Sequence, residues 1–230
     1  MATKKDPMTR ILLVLTAFLV SQIVWADPFP STPWELLSES DGIKTYRKEV
    51  PGSSIVAFKG EGDIDATIAE ICGVVDDVAR EKEWMSDLKV SYIVEKKSEN
   101  QRVEYNESFV PWPFQNRDFV IDAKASFEKK PAPFFRVVMQ SIEHSAIPKK
   151  SGIVRGQLHD SVFEVRSIDG GKRSHLTVEI FADPMGNIPN WVVNLVQKSW
   201  PKDTIEGIRK QIKKGGITPH PKMVEWLKSS

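Results

Sequence analysis

The side chains able to do covalent or acid–base chemistry are few in this chain, and they are scattered. His144, His159, His175 and His220 fall on separate segments, without the short spacings that present two ligands to one metal ion. Cys72 is the sole cysteine, so no internal disulfide can form; its place among Ile68, Ile71 and Val75 reads as core packing rather than as a reactive thiol. No glycine-rich phosphate loop, no G-x-S-x-G elbow and no Cys–His pairing occurs. Acid–base catalysis would need Glu104 or Glu107, Tyr105 and His175 to converge on one point. Glu104, Asn106 and Ser108 alternate with Val103, Tyr105, Glu107 and Phe109, so one glutamate must face the inside of its sheet and find a partner there. Asp76, Asp77, Glu81 and Glu83 read as solvated helix faces. No catalytic residue, metal or cofactor is expected from this set.

The more informative residues are apolar. Pro111 and Pro113 cannot donate to a sheet ladder, so they end the preceding strand and stiffen a loop that displays Trp112 and Phe114. Such a loop is either the rim of a pocket, or a membrane-touching tip, or a plug folded back on its own core. Asn116, Arg117 and Asp118 close the turn before Phe119, Val120 and Ile121 start a new strand. The expected role of Arg117 and Asp118 is to set the angle of the loop through backbone and charge pairing.

The elements that must position these groups follow from periodicity. Residues 33–40 read as a short helix capped by Ser31 or Thr32 with Pro33 in its first turn. Strands are expected at 43–50, 55–64, 90–97, 102–110, 119–127, 134–141, 153–168 and 174–182, with a helix after Asp65 between the second and third. Asp169-Gly170-Gly171-Lys172 is a hairpin signal. Successive strands with helices near both ends predict an α+β fold with an antiparallel sheet wrapped around a terminal helix.

On one face of the 119–127 strand lie Phe119, Ile121, Ala123, Ala125 and Phe127; Leu176, Val178, Ile180 and Ala182 form a second such face. Alanines on an inward face leave volume, either for a cavity or for bulky helix residues. Trp191, Val192, Leu195, Val196 and Trp200 make a broad apolar helix face, suited to a lid. Ile205, Ile208 and Ile212 point the other way on an ideal helix, so a break is expected near Trp200-Pro201.

Residues 1–26 are expected to be a signal peptide. Lys4, Lys5 and Arg10 precede an apolar stretch over 11–24, and Val24-Trp25-Ala26 offers a cleavage site, which implies a secreted or periplasmic protein. An uncleaved anchor is the other reading, although the stretch is short for a full span. Residues 27–230 suit one domain. The near-neutral formal charge of +1 argues against nucleic acid as the main partner. From Pro189 onward eight Lys/Arg face three acids, a basic segment that either greets an anionic membrane or merely solvates a helix.

Four short motifs occur in order. Trp34-Glu35 with Asp41-Gly42-Ile43-Lys44-Thr45-Tyr46, then Glu83-Trp84, then Pro111-Trp112-Pro113 with Asn116-Arg117-Asp118-Phe119-Val120, and finally Asp183-Pro184-Met185-Gly186-Asn187-Ile188-Pro189-Asn190-Trp191 resemble the START domain, the steroidogenic-acute-regulatory-related lipid-transfer module. The likeness covers residues 34–214. It implies a helix-grip fold, in which an antiparallel sheet curves around a long C-terminal helix and encloses an apolar tunnel. It also implies one bound lipid (a sterol, a phospholipid or similar) and a transient membrane surface as partners; a monomer is the expected state. The ligand-contacting set it points to is Tyr105, Trp112, Phe114, Phe119, Ile121, Ala123, Leu176, Val178, Ile188, Trp191, Val192, Leu195 and Val196. Some START tunnels carry an arginine at the position of Ala123, paired with an acid, so the sterol-type anchor is missing here. Two other readings are a polyketide aromatase/cyclase-like enzyme in the same fold and an interaction module with a fully packed core.

Overall fold

The structure is a computed structural model, described here for residues 32–229. The expected signal peptide and Ser31 lie outside the described residues. The strands are β1 (Glu35–Ser40), β2 (Ile43–Lys48), β3 (Ala57–Ile64), β4 (Leu88–Ser98), β5 (Gln101–Ser108), β6 (Asn116–Glu128), β7 (Phe134–Ser141), β8 (Ile153–Arg155), β9 (Gln157–Ile168) and β10 (Arg173–Asp183). The helices are α1 (Ile68–Asp76), α2 (Asn190–Gln197), α3 (Trp200–Lys214) and α4 (Pro221–Lys228), with a 3₁₀ segment at Val78–Glu83. One sheet in the order β1-β2-β3-β10-β9-β7-β6-β5-β4 carries every strand but β8, which pairs parallel with β6. Every other pairing is antiparallel. The class is the expected α+β helix-grip arrangement.

Residues 33–40 are a correction. Residues 35–40 among them form strand β1, not a helix, because Asp41 and Gly42 both adopt positive φ (55° and 65°) and turn the chain straight back. That two-residue turn pairs Ser40 with Ile43 and Glu35 with Arg47. The available partner strand overrides a weak helical preference. The helix expected after Asp65 starts two residues later. Thr67 accepts from the Glu70 amide while Glu70 accepts from the Thr67 amide, a reciprocal cap that satisfies two otherwise orphaned N–H groups.

The stretch expected as one strand over 153–168 is two. Gly156 stands between β8 and β9, where a Cβ would lie 2.4 Å from the Phe119 ring, so only glycine lets the strand cross that ring. The expected helix break is present: α2 ends at Gln197 and Pro201 sits in the first turn of α3, where its missing N–H costs nothing.

Helix α3 fills the concave side of the sheet. Ile205 and Ile208 are fully buried against Leu176, Val178, Ile43 and Ile64, each worth about 1.5–3 kcal/mol. On its other flank Gly207 meets the Trp84 carbonyl; a Cβ there would stand 2.0 Å from that oxygen. The Gly207→Ala variant is therefore expected to lose about 1–3 kcal/mol or more by forcing α3 off the 3₁₀ segment, read as a lowered thermal midpoint.

Candidate functional site

Beyond the reach of α3 the concave face turns hollow. A cavity of about 630 Å³ lies between α1, α4 and β4–β7, within the roughly 300–1,000 Å³ typical of ligand sites. Its apolar wall comes from Cys72 and Val75 of α1, Ala123, Ala125 and Phe127 of β6, Phe135 and Val137 of β7, and Met223 and Trp226 of α4. Its rim is polar, with Lys96, Ser98, Glu99, Gln101 and Arg102 around the β4–β5 turn, joined by Asp76, His220 and Lys222. The alanines make the space: Ala123 and Ala125 face Met139 and Val137 across the ladder, and no larger side chain on β6 takes up that volume. Toward the other end of the same strand face, Phe119 and Ile121 pack with Phe58, Leu158, Ile180 and Trp200, and the interior is full.

The polar anchor is present but relocated. Arg102 is the register partner of Ala123, so its guanidinium arrives from the neighbouring strand directly opposite the vacant position. It donates through Nε to Glu104, through Nη1 to Asp76 and through Nη2 to the Val75 carbonyl at 3.2 Å. Glu104 is thus the glutamate that faces inward, while Glu107 faces outward to Lys89 at 3.1 Å and Asn116 at 2.9 Å. Glu81, expected in solvent, is buried beside this group. Burial first, and the Glu104 charge second, push its carboxyl up to about 7. Ser91 Oγ lies 3.0 Å from Asn106 Oδ1 and also within reach of Glu81 Oε2.

The opposite end of the sheet carries the loops. Arg117 is buried and donates to the carbonyls of Gln115, Pro184 (3.1 Å) and Met185 (3.1 Å), tying the Pro111–Phe114 loop to the turn that precedes α2. Asp118, also buried, accepts a two-pronged bond from Arg155 at 2.8 and 3.0 Å. Both residues do the positioning expected of them. Trp112 is 91% exposed, and on α2 Trp191, Leu195 and Val196 are 70%, 64% and 61% exposed.

Several of the expected ligand contacts are placed elsewhere. Tyr105 lies on the outer face with Val103 and Val120, since it alternates with Glu104, and its hydroxyl accepts from Lys150 at 3.1 Å. The apolar face of α2 is turned to solvent because Asn194 binds the Val56 amide at 3.1 Å and Asn190 binds Ser54, which seats Val193 rather than Trp191 against Ile55, Ala57 and Phe181. Val192 is half-buried, and Ile188 packs beside Trp34. Leu176 and Val178 face inward but are covered by α3. Phe119 and Ile121 sit in the filled end, Phe114 is half-buried in its loop, and Ala123 alone of the set lines the cavity. The wall residues passed over were Phe135 and Val137, legible as an alternating strand face, and Met223 and Trp226, spaced i, i+3 after a helix-starting proline.

Glu104, Tyr105 and His175 do not converge; His175 pairs with Asp63 at 2.7 Å on the outer side of β10. Among the described residues no group of three or more His, Cys, Asp or Glu could hold a metal ion.

A curved sheet over a helix, with an amphipathic cavity beside it, defines a ligand-binding module. The family model described as "START domain" matches residues 31–213. The chain belongs to the START family of lipid-binding, lipid-transfer domains. It is 32% identical over 168 residues to the phosphatidylcholine transfer protein of Mus musculus, covering 72% of this chain and 77% of that protein. Its fold matches the crystal structure of human STARD10 with a TM-score of 0.72 at 19% identity, over 84% of this chain and 76% of that one. A StAR-related lipid transfer protein fragment from Xanthomonas axonopodis matches with a TM-score of 0.68 at 24% identity, over 78% and 98%.

The buried acid gives a prediction with a defined sign. Glu81 binds its proton more tightly folded (about 7) than at its ordinary value of 4.5. It therefore destabilises the fold progressively as pH rises through that window, by on the order of 3 kcal/mol once fully ionised. Glu81→Gln is expected to be more stable than the parent at pH 8 and equal to it near pH 4, as read by chemical denaturation at both values.

Proposed function

We propose that this START protein is a secreted or periplasmic, monomeric carrier that takes one phospholipid from a membrane and delivers it to another, without catalysing a reaction. The observation that carries this reading is the cavity itself, apolar in depth and polar at its rim, as a lipid with a headgroup requires. The mouse relative, a phosphatidylcholine transfer protein, favours a glycerophospholipid, and so does the absence of a sterol-type arginine at position 123, which is Ala123. The apolar stretch and small residues of the first 26 positions support export.

The energetics suit a carrier. Burying a chain of about 14 carbons is worth on the order of 11 kcal/mol against water and close to nothing against a bilayer interior. The cavity needs only to imitate the membrane core, and exchange is then limited by opening the protein.

Trp112, Met185, Trp191, Leu195 and Val196 are exposed on two loops joined by Arg117 and on the helix that follows, an apolar patch suited to a bilayer surface. The basic C-terminal segment contributes less. Lys202 binds Asp41 at 3.0 Å, Lys214 binds Glu83 at 2.6 Å, Lys222 binds Glu99 at 2.5 Å, and Arg209 donates to the Asp41 and Asp63 carbonyls. These cations serve the fold first.

The test is movement of a fluorescent phosphatidylcholine between vesicles by the purified protein. Acceleration over the spontaneous rate is expected, and its absence would overturn the carrier reading. Trp112→Ala and Trp191→Ala should each slow transfer roughly tenfold, the equivalent of about 1.4 kcal/mol of lost membrane contact, with little effect on binding of a soluble short-chain analogue. Equal loss of both would place these rings in the ligand site instead.

A further inference from the structure

The cavity has one wall that the START domain does not supply. The family match ends at residue 213, and α4 follows it. Gly215 and Gly216, both at positive φ (78° and 70°), turn the chain back from α3. The connecting strap then runs so close to α1 that a Cβ on Gly73 would lie 2.2 Å from the Thr218 carbonyl oxygen. Behind it the His220 amide donates to the Ala69 carbonyl at 2.9 Å, and His220 caps α4 by accepting from the Met223 amide at 3.2 Å.

This route lays α4 across the hollow between α1 and the β4–β5 and β6–β7 turns. Met223 is 1% exposed and joins the core cluster of Ile71 and Cys72. Trp226 brings its ring to 6.1 Å from that of Phe127, with Lys129 Nζ over its face at 5.3 Å. Both side chains border the cavity from the side facing Ala123 and Ala125. At the rim Lys222 binds Glu99 at 2.5 Å, and Lys129 donates to Ser229 at 3.0 Å. A buried methionine and an indole are large, apolar and, for methionine, adaptable in shape. The volume left to a ligand is what these two leave free.

We propose that α4, a segment beyond the family domain, is the end wall of the lipid cavity, and that Met223 and Trp226 contact the ligand and set how long an acyl chain it accepts. The proposal rests on the lipid-carrier reading and adds the residues that select the lipid. Arg102 and the rim charges lie around the β4–β5 turn, so the lipid's polar end sits there and its chains run past Ala123 and Ala125 toward Phe127, Met223 and Trp226.

The test loads the full chain from vesicles containing phosphatidylcholines of graded acyl length and reads the retained lipids by mass spectrometry. Trp226→Ala is expected to shift the retained set toward longer chains, and Trp226→Phe to restore most of the parent profile. Leu227→Ala, on the exposed side of the same helix, should leave the profile as it is. Gly73→Ala, which lifts the strap without altering a cavity residue, should broaden the profile in the same direction. An unchanged profile in Trp226→Ala and Gly73→Ala, with both still folded by circular dichroism and still loaded, overturns the end-wall assignment. Parent protein that retains no lipid from any vesicle overturns the carrier reading instead.

Discussion

Gly60 and Gly62 of β3 give the sheet the room to close on α3. At Gly60 a Cβ would lie 2.7 Å from Pro201 and 3.3 Å from Ile205, so the helix rests on bare backbone at that point. With α3 seated there, Ile205 and Ile208 reach Leu176 and Val178, and the start of α3 brings Trp200 against Phe58 and Ile180. The helix can fill only the part of the concave face it spans. What lies beyond Ala123 has to be covered by something else or left open, and α1 and α4 cover it without filling it. The cavity is thus a consequence of a close helix–strand contact at one end and short side chains at the other.

A hollow of this kind raises the cost of every polar group beside it. The structure meets that cost with one cluster. Arg102 serves Glu104, Asp76 and a backbone carbonyl at once, and Ser91 links Asn106 to Glu81. Burial first, and the neighbouring Glu104 charge second, are why Glu81 holds its proton toward neutrality. Placing the cation on β5 rather than at position 123 leaves the middle of β6 small, so the anchor and the open volume coexist. At the far end Arg117 and Asp118 solve a different problem, holding two loops and a short strand in register so that Trp112 can stand in solvent.

Much of this was legible in the residues. Alternation placed β6, β7 and β10 and gave the inward face of β6 in full, and the proline at 201 marked the helix break. Four features were not legible for physical reasons. Residues 33–40 carry a helix-like start, but the Asp41-Gly42 turn decides their fate by offering a strand to pair with. The apolar stripe of α2 follows helical spacing and still faces water, because two asparagines on the same helix bind the β2–β3 loop and fix its rotation. Tyr105 and Glu104 differ by one residue, and a period of two sends them to opposite faces. Periodicity says which residues share a face but not which face lies inside, and Tyr105, which the family resemblance points to as a ligand contact, lies on the outer one. Helix α4 is short, preceded by Pro219 and opened by Pro221, and its value lies in a tertiary contact that no local pattern announces.

Native mass spectrometry of the purified protein puts the central claim to the most direct test. A hollow that exists to hold a lipid should not travel empty, so the account predicts a folded monomer carrying one phospholipid-sized mass, released intact on collisional activation and identified after extraction. A folded population at the bare polypeptide mass, before and after exposure to phospholipid vesicles, would contradict it.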